Sequence, residues 1–199
     1  MRLQPSRAHA WMSAALVTFS LTFPTAAQTR EPHSTTPVID IGKIRIENFG
    51  RINPNYYRGA QPKGRDYADL AAIGVKTLID LTSDDAAPDE KKLAEQLGLK
   101  YFQIPMTTHM VPTSAIVAEF LKISNDQANQ PVYVHCVGGR HRTGVMTAVY
   151  RMTQDGWTAE RAFQEMKQYK FGADFLHAEF KKFVYGFRAD VMAAAQSGS

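Results

Sequence analysis

One stretch of the chain, residues 135–144, constrains the fold more than any other. It reads HCVGGRHRTG and holds the only cysteine of the 199 residues, Cys136. An apolar run with β-branched residues, 131–134, precedes it, and a helix-like run, 145–152, follows it. A strand, a glycine-containing loop and a helix N-terminus in this order gather backbone N–H groups around an anion. The sequence therefore predicts an anion-binding loop with a cysteine at its start.

The same surroundings favour the thiolate form of Cys136. Five residues separate it from Arg142, and the loop N–H groups, the helix dipole and the guanidinium all stabilise a negative sulfur. A nucleophilic thiolate beside an anion-binding loop indicates phosphoryl transfer to cysteine. An inert core cysteine fits the segment poorly, because a core has no need of both Arg140 and Arg142.

Two other kinds of site fit this loop less well. A nucleotide-binding glycine loop needs Lys followed by Ser or Thr after its second glycine, whereas Gly144 is followed by Val145 and Met146. A zinc site would need His135, Cys136 and His141 to point at one ion, and one loop cannot easily do so while its backbone holds an anion. We therefore expect no metal site and no cofactor, because the thiolate, the arginine and the backbone supply the electrostatics.

The first 27 residues have the pattern of a secretory signal peptide, 1–27. Arg2 and Arg7 supply the positive start, residues 14–23 are mostly apolar, and residues 25–27 are small. The apolar run is shorter than the roughly 20 residues of a membrane span, which disfavours an uncleaved anchor. Cleavage would lower the formal net charge from +4 to +2, which argues against nucleic-acid binding. We expect an exported protein, periplasmic or secreted, without a nucleic-acid partner or stable membrane insertion.

The rest of the chain reads as a flexible leader, 28–43, followed by one domain, 44–195. Strand patterns alternate with helix patterns and a helical third follows, so we predict an α/β fold with a small central sheet flanked by helices. The predicted strands lie at 44–49, 56–62, 75–81, 99–104 and 131–134. The predicted helices are 66–73, one carrying Leu93 and Leu97, one capped by Thr113, 145–152, 158–169 and one beginning near Ala173.

The motif of residues 135–144 resembles the signature of the cysteine-dependent protein tyrosine and dual-specificity phosphatases. The resemblance is strongest for bacterial exported dual-specificity-like phosphatases and for the plant and fungal atypical group, which includes inositol pyrophosphate phosphatases. Residues 57–62, YRGAQP, also resemble the N-terminal strand motif of these proteins, usually Tyr-Arg-Ser-x-Gln-Pro. The likeness runs from about Tyr56 to about Phe187 and implies a dual-specificity-phosphatase-like fold.

The resemblance implies a role for each residue of the loop. Cys136 would attack phosphorus and form a cysteinyl-phosphate, and Arg142 would hold two phosphate oxygens with its planar fork. Thr143 would hydrogen-bond the sulfur and help it leave, and His135 would orient the loop unless it only packs there. Backbone N–H groups would bind the phosphate oxygens. The expected substrate-binding residues are Val137, Gly138, Gly139, Arg140 and His141. Arg58, beside the cleft, would bind substrate phosphate or tie down the acid loop, unless it is only solvated at the surface.

The general acid is where this sequence departs from the family pattern. Relatives usually carry an aspartate in the loop after the strand that ends here near Ile104, but residues 105–114 include neither Asp nor Glu. His109 is the only titratable side chain in that loop and is one candidate. Asp84 and Asp85, after another strand, are others. Weak acid assistance would favour substrates with good leaving groups, such as pyrophosphates or aryl phosphates.

We therefore expect a phosphatase that acts on a phosphorylated protein or an inositol (pyro)phosphate. Lys170, Lys181 and Lys182 are expected either to rim a pocket for such an anion or to form the wet face of amphipathic helices. A phosphate-binding module without turnover is the alternative. A sulfurtransferase of the rhodanese type is a third possibility, disfavoured by the spacing of Arg142 and Thr143.

Overall fold

The computed structural model describes residues 40–83 and 85–190, which belong to one compact unit spanning 35–199. Its strands are β1 (Gly50–Asn53), β2 (Tyr56–Ala60), β3 (Thr77–Asp80), β4 (Lys100–Gln103) and β5 (Val132–Cys136). Its helices are α1 (Asp66–Ala72), α2 (Glu90–Gln96), α3 (Ser114–Asn125), α4 (Arg142–Gln154), α5 (Ala159–Gln168) and α6 (Ala178–Gly186). The predicted α/β fold with a small flanked sheet is confirmed.

The five strands form one sheet in the order β1-β2-β5-β3-β4. β1 and β2 are an antiparallel hairpin, and β2, β5, β3 and β4 run parallel to one another. The carboxyl ends of parallel strands meet at one edge of a sheet, where ligands of open α/β folds bind. Cys136 ends β5, the central strand of the five-stranded sheet, so it lies near the middle of that edge.

Strand residues alternate between two hydrophobic clusters, one on each face of the sheet. Ile79 and Val134 pack with residues of α3, α4, α5 and α6. Leu78 and Tyr133 pack on the opposite face with residues of α1 and α2. Because helices cover both faces, β2, β3 and β5 are buried along their whole length. The edge strand β4 has an exposed polar residue at each end, Lys100 and Gln103.

Helix α4 is held on nearly all sides, which gives the cysteine loop a rigid support. Ten of its thirteen residues are buried, as expected for a helix packed between a sheet and other helices.

The neighbouring helices α3 and α5 each begin at a side-chain cap. Thr113 Oγ1 accepts the N–H of Ile116, and Thr158 Oγ1 accepts the N–H of Arg161. The predicted cap at Thr113 is therefore confirmed.

The strand predicted over 44–49 does not form. Residues 41–43, assigned to the flexible leader, form a short 3-10 helix, and the first strand begins only at Gly50. Ile44 and Ile46 alternate because both side chains are buried in the cluster that faces α1 and α2, without strand pairing. Burial of every second residue in this irregular segment therefore produced the same two-residue apolar period as a strand.

Two helices also differ from their predicted patterns. Leu93 and Leu97, which marked α2 in the sequence, are exposed, and Ala94 is the buried apolar residue of that helix. The last helix begins at Ala178, and Leu176, expected on its inner face, is exposed. Among the described residues no helix is long and apolar enough to cross a membrane. Several predicted features lie outside the described residues: the signal peptide (1–27), the leader up to residue 39, Asp84 and residues 191–195.

Candidate active site

The cysteine loop, residues 137–141, joins the end of β5 to the start of α4. Cys136 is only 3% exposed, yet it lines a cavity of about 260 Å³ at the carboxyl edge of the sheet. The loops that follow β3, β4 and β5 all contribute to this cavity. Its lining residues are Asp85, Thr108, Cys136, Val137, Gly138, Arg140, His141 and Arg142.

The carbonyl groups of the cysteine loop are held on its rear side. Asn48 Nδ2 donates to the carbonyl oxygens of Gly138 and Gly139, at 3.3 and 3.2 Å, and Arg58 also donates to the carbonyl of Gly139. Within the part of the chain that the structure describes, none of the backbone N–H groups of the loop donates to another backbone group. Since N–H and C=O of a peptide point in opposite directions, this arrangement leaves the N–H groups free for an anion.

Glycine is required at the point where the loop touches β2. Gly139 has φ +63°, and a Cβ there would lie 2.4 Å from the carbonyl carbon and oxygen of Gly59. A Cβ on Gly59 would in turn lie 2.3 Å from the hydroxyl of Tyr133, which donates to the carbonyl of Ala60 at 2.7 Å. Both positions therefore exclude a side chain, and the loop backbone packs directly on the strand.

Arg58, expected beside the cleft, lies behind the loop and is not among the residues that line the cavity. Its side chain is fully buried, its guanidinium lies 4.0 Å from the ring centre of Tyr169, and it donates to the carbonyl of Gly139. Burial is the largest influence on Arg58 and lowers its pKa. The aromatic face of Tyr169 compensates part of the lost hydration. Arg58 is thus a positioning residue for the loop.

Arg142 and Asp85 form a two-pronged ion pair in the cavity. Nη1 and Nη2 of Arg142 donate to the two carboxylate oxygens of Asp85, at 2.8 and 2.6 Å, and Nη1 also donates to the carbonyl of Met106 at 3.0 Å. The hydrogen bond from Arg142 lowers the pKa of Asp85. The guanidinium therefore presents the fork that can hold two oxygens of a phosphate.

His109 stands beside the cavity without lining it. Its neighbour Thr108 lines the cavity, whereas the His109 side chain is 76% exposed, with Nδ1 3.8 Å from Glu179 Oε1. Its ring stacks on His177 with the centres 5.3 Å apart. Of the candidate acids, the structure brings Asp85 into the cavity and leaves His109 at its rim. The role of His109 as acid stays a prediction.

Thr143 and His135 flank the cysteine loop from inside the protein. Both are fully buried, and Oγ1 of Thr143 has no hydrogen-bond partner among the described residues, so its hydroxyl is free to donate. Nε2 of His135 lies 3.1 Å from Glu90 Oε1, but neither ring nitrogen makes a hydrogen bond of acceptable geometry within the described chain. The ring of His135 lies 5.8 Å from that of Tyr133, and its role in orienting the loop stays a prediction.

The rim of the cavity is held by polar contacts to the loop. Arg140 donates to Glu47 at 2.8 Å, and this contact lowers the pKa of Glu47. Nε2 of His141 lies 3.0 Å from the carbonyl oxygen of Phe171. Burial and then the proximity of His177 lower the pKa of His141. Arg140 and His141 thus line the cavity while contacting other parts of the fold. Of the other predicted substrate-binding residues of the loop, Val137 and Gly138 also line the cavity, and Gly139 does not.

The three lysines considered as rim residues do not line the cavity. Lys170 lies 3.4 Å from Glu47, and Lys181 lies 2.7 Å from Asp174. Lys182 lines a separate apolar groove beside α6. The described part of the chain therefore places few cations around the cavity.

Three contributors were missed at the sequence level: Asn48, Glu47 and His177. Their contacts to the loop come from distant parts of the chain; Asn48 and Gly139, for example, are 91 residues apart. Asn48 has φ +58°, a conformation in which asparagine is enriched, and this turn preference was the one local signal available. It was hidden within the segment predicted as a strand.

The chain matches the family described as Tyrosine phosphatase family over residues 43–196. It belongs to this family. One relative, the dual specificity protein phosphatase TpbA of Pseudomonas aeruginosa strain UCBPP-PA14, is 27% identical over 150 residues, or 75% of this chain and 67% of TpbA. Another, the inositol diphosphatase SIW14 of Saccharomyces cerevisiae, is 27% identical over 139 residues, 67% of this chain and 49% of SIW14. The predicted resemblance is confirmed.

Solved structures agree with this family assignment. A substituted form of P. aeruginosa TpbA in complex with pTyr has a TM-score of 0.66 and 27% identity, and covers 76% of this chain and 91% of that one. The core catalytic domain of SIW14 in complex with citrate has a TM-score of 0.67 at 24% identity, covering 77% and 93%, and supports the fold alone. Family and relatives together support phosphatase activity.

Proposed function

We propose that this protein hydrolyses phosphotyrosine-like phosphomonoesters through a cysteinyl-phosphate intermediate. The observation that carries the proposal is the cavity shared by Cys136 and Arg142, whose loop carbonyls are turned away by Asn48 and Arg58. In-line phosphoryl transfer to a cysteine requires a thiol, a guanidinium fork and free N–H groups around one cavity. The relative TpbA, crystallised with pTyr, supports this substrate class.

In the first step, the substrate phosphate takes the place of Asp85 on the guanidinium of Arg142, because both anions need the same donors. The loop N–H groups hold the phosphate oxygens. The thiolate of Cys136 attacks phosphorus, the S–P bond forms, and the bond to the leaving oxygen breaks. That oxygen takes a proton from an acid.

In the second step, water attacks the phosphorus of the cysteinyl-phosphate, its proton returns to the group that served as the acid, and the S–P bond breaks. The buried hydroxyl of Thr143 donates to the sulfur as negative charge returns to it, and inorganic phosphate leaves. This role for Thr143 is supported by its place in the first turn of α4 and by its unpaired Oγ1.

Two described residues are candidates for the acid. Asp85 lines the cavity, but its pKa is lowered by Arg142 as long as the two are paired. His109 is in the loop where relatives carry their acid, but its side chain points to Glu179 and solvent. His109 would donate only after the loop 105–114 moves towards the cavity.

The charges around the cavity favour a single phosphoryl group. Two arginines line it, and each is paired with a carboxylate: Arg142 with Asp85 and Arg140 with Glu47. An inositol diphosphate carries several further phosphates, for which this rim supplies few cations. It is nevertheless the second candidate, because the relatives SIW14 and rice DSP2 are inositol diphosphatases.

The test compares initial rates on a phosphotyrosine peptide, a phosphothreonine peptide and an inositol diphosphate, all in EDTA. We expect the phosphotyrosine peptide to be hydrolysed fastest, with inhibition by vanadate and no activity for Cys136→Ser. Full activity of Cys136→Ser would overturn the mechanism, and a faster inositol diphosphate would reverse the substrate order. Tight phosphopeptide binding without phosphate release would instead favour the binding module, and hydrolysis of thiosulfate the sulfurtransferase.

We also infer that the protein is exported, on the strength of the pattern in residues 1–27. N-terminal sequencing of the protein from its host should then begin at about Gln28, in the soluble exported fraction. An intact N-terminus recovered with membranes would favour the uncleaved anchor instead.

A further inference from the structure

Three metal-ligating side chains meet beside the cavity, outside the cysteine loop. His109 comes from the loop after β4, and His177 and Glu179 come from the start of α6. One ligand atom from each lies within 4.8 Å of the other two. Oε1 of Glu179 is 3.5 Å from Nδ1 of His177 and 3.8 Å from Nδ1 of His109. Two imidazoles and one carboxylate are a donor set that binds zinc in many proteins.

A second observation points to a ligand at the same place. His177 is 8% exposed, and its Nδ1 and Oε1 of Glu179 are both buried without a hydrogen-bond partner among the described residues. Their separation of 3.5 Å exceeds that of an ordinary hydrogen bond. Buried polar atoms of this kind normally have a partner, and one cation between them would satisfy both.

The geometry suits a four-coordinate ion. Bonds of about 2.0–2.1 Å at tetrahedral angles put ligand atoms about 3.3 Å apart, close to the distances found here. The ring of His177 is fixed by stacking on Phe180, with centres 5.8 Å apart. The exposed His109 side chain is free to close the remaining distance. Three protein ligands leave the fourth position to water.

His141 is a neighbour of this cluster rather than a ligand. Its ring lies 3.7 Å from that of His177, centre to centre, but its Nε2 contacts the carbonyl oxygen of Phe171. Its ring therefore packs against His177 and limits the orientations available to that side chain.

We propose that His109, His177 and Glu179 form a binding site for a divalent transition-metal ion of the zinc class. The ion takes no part in the chemistry of Cys136. It ties the loop 105–114 to α6 and holds the His109 imidazole outside the cavity. Binding of the ion does not rest on the proposed function.

Binding is tested in Cys136→Ser protein, because that variant cannot turn over and lacks the thiolate, itself a strong ligand for zinc-class ions. Untagged protein is titrated with Co²⁺ and followed by visible d–d absorption, then with Zn²⁺ by calorimetry. We expect one ion per chain with tetrahedral or five-coordinate bands. Adding His177→Ala or Glu179→Gln should weaken binding about tenfold or more, as loss of metal-site groups does.

The matched control is Glu95→Gln, an exposed carboxylate change on α2 that should leave binding unchanged. Thermal unfolding of each variant checks the fold, and Glu179→Gln serves if His177→Ala does not fold. The proposed site would be overturned if no Co²⁺ bands appeared, or if folded Glu179→Gln bound the metal as tightly as the protein with Glu179 intact. His109, His177 and Glu179 would then be an ion-paired cluster without a metal. Because no turnover is measured, failure here leaves the proposed hydrolysis untouched.

Discussion

Arg142 holds Asp85 with both terminal nitrogens, at 2.8 and 2.6 Å. The carboxylate thus occupies the donors that a substrate phosphate needs. Asp85 is 36% exposed at its side chain, so it can leave this position without unfolding its surroundings. In the proposed mechanism, the ion pair keeps Arg142 oriented between turnovers and competes with each incoming phosphate.

Asp85→Asn should bind phosphate analogues more tightly. A neutral amide competes less well for Arg142, and a partly exposed ion pair is worth about 0.2–1 kcal/mol. Vanadate affinity should therefore rise, by up to roughly fivefold. Inhibition constants for vanadate measure the change. Glu47→Gln, which removes the carboxylate paired with Arg140 at the rim, is the matched control and should have a smaller effect. Unchanged or weaker vanadate binding in Asp85→Asn would contradict the competition.

The same pair should make stability depend on acid pH. The pKa of Asp85 is lowered in the folded state, so its contribution is fully present above the usual aspartate value of about 3.9. The contribution is lost as pH falls through the folded-state pKa. Urea unfolding of wild type and Asp85→Asn should therefore differ by less than about 1 kcal/mol at neutral pH. That difference should shrink only below about pH 4, and added salt should reduce it. If the stability difference between wild type and Asp85→Asn disappeared already near pH 6, the result would contradict a stabilising ion pair.

Gly139→Ala should damage both stability and activity. The new Cβ would lie 2.4 Å from the backbone of Gly59, at a φ of +63°, so we expect a loss of more than about 1 kcal/mol and at least a tenfold lower kcat. Gly138→Ala is the matched control, because its Cβ would meet nothing nearer than 3.5 Å. Urea unfolding and kcat on an aryl phosphate measure the two effects. Equal behaviour of the two variants would show that the contact with β2 does not shape the loop.

Asn48 should act on phosphate binding through the loop carbonyls. Asn48→Asp keeps the shape of the side chain but cannot donate to Gly138 and Gly139 (3.3 and 3.2 Å), and its charge would repel both carbonyls. We expect vanadate affinity to fall about tenfold, since this change lies beside a site that must bind an anion. Asn48→Gly accepts the φ of +58° and removes the donor without adding charge, so its vanadate affinity should lie between those of wild type and Asn48→Asp. If Asn48→Asp bound vanadate as tightly as wild type, Asn48 would not act as a positioning residue.

The parts of the site that sequence could predict are those whose partners are close in the chain. Cys136, Arg142 and the loop between them were recognisable because a strand, a glycine loop and a helix must follow one another at fixed spacing. The rear contacts from Asn48 and Arg58 and the pairing of Arg142 with Asp85 depend on how distant segments pack. The false strand at 44–49 arose from the same cause, because burial of Ile44 and Ile46 depends on packing and not on strand pairing.

The residue that acts as general acid can be identified by comparing substrates with good and poor leaving groups. An acid accelerates departure of a poor leaving group by about 10²–10⁴-fold and matters little for a good one. If the loop 105–114 carries His109 into the cavity during turnover, His109→Gln should slow hydrolysis of an alkyl phosphate strongly and of p-nitrophenyl phosphate only slightly. Asp85→Asn, measured on the same two substrates, should then slow neither strongly. The opposite result would assign the proton to Asp85, which already lines the cavity. Equal, small effects in both variants would leave water as the proton source and explain a preference for aryl phosphates.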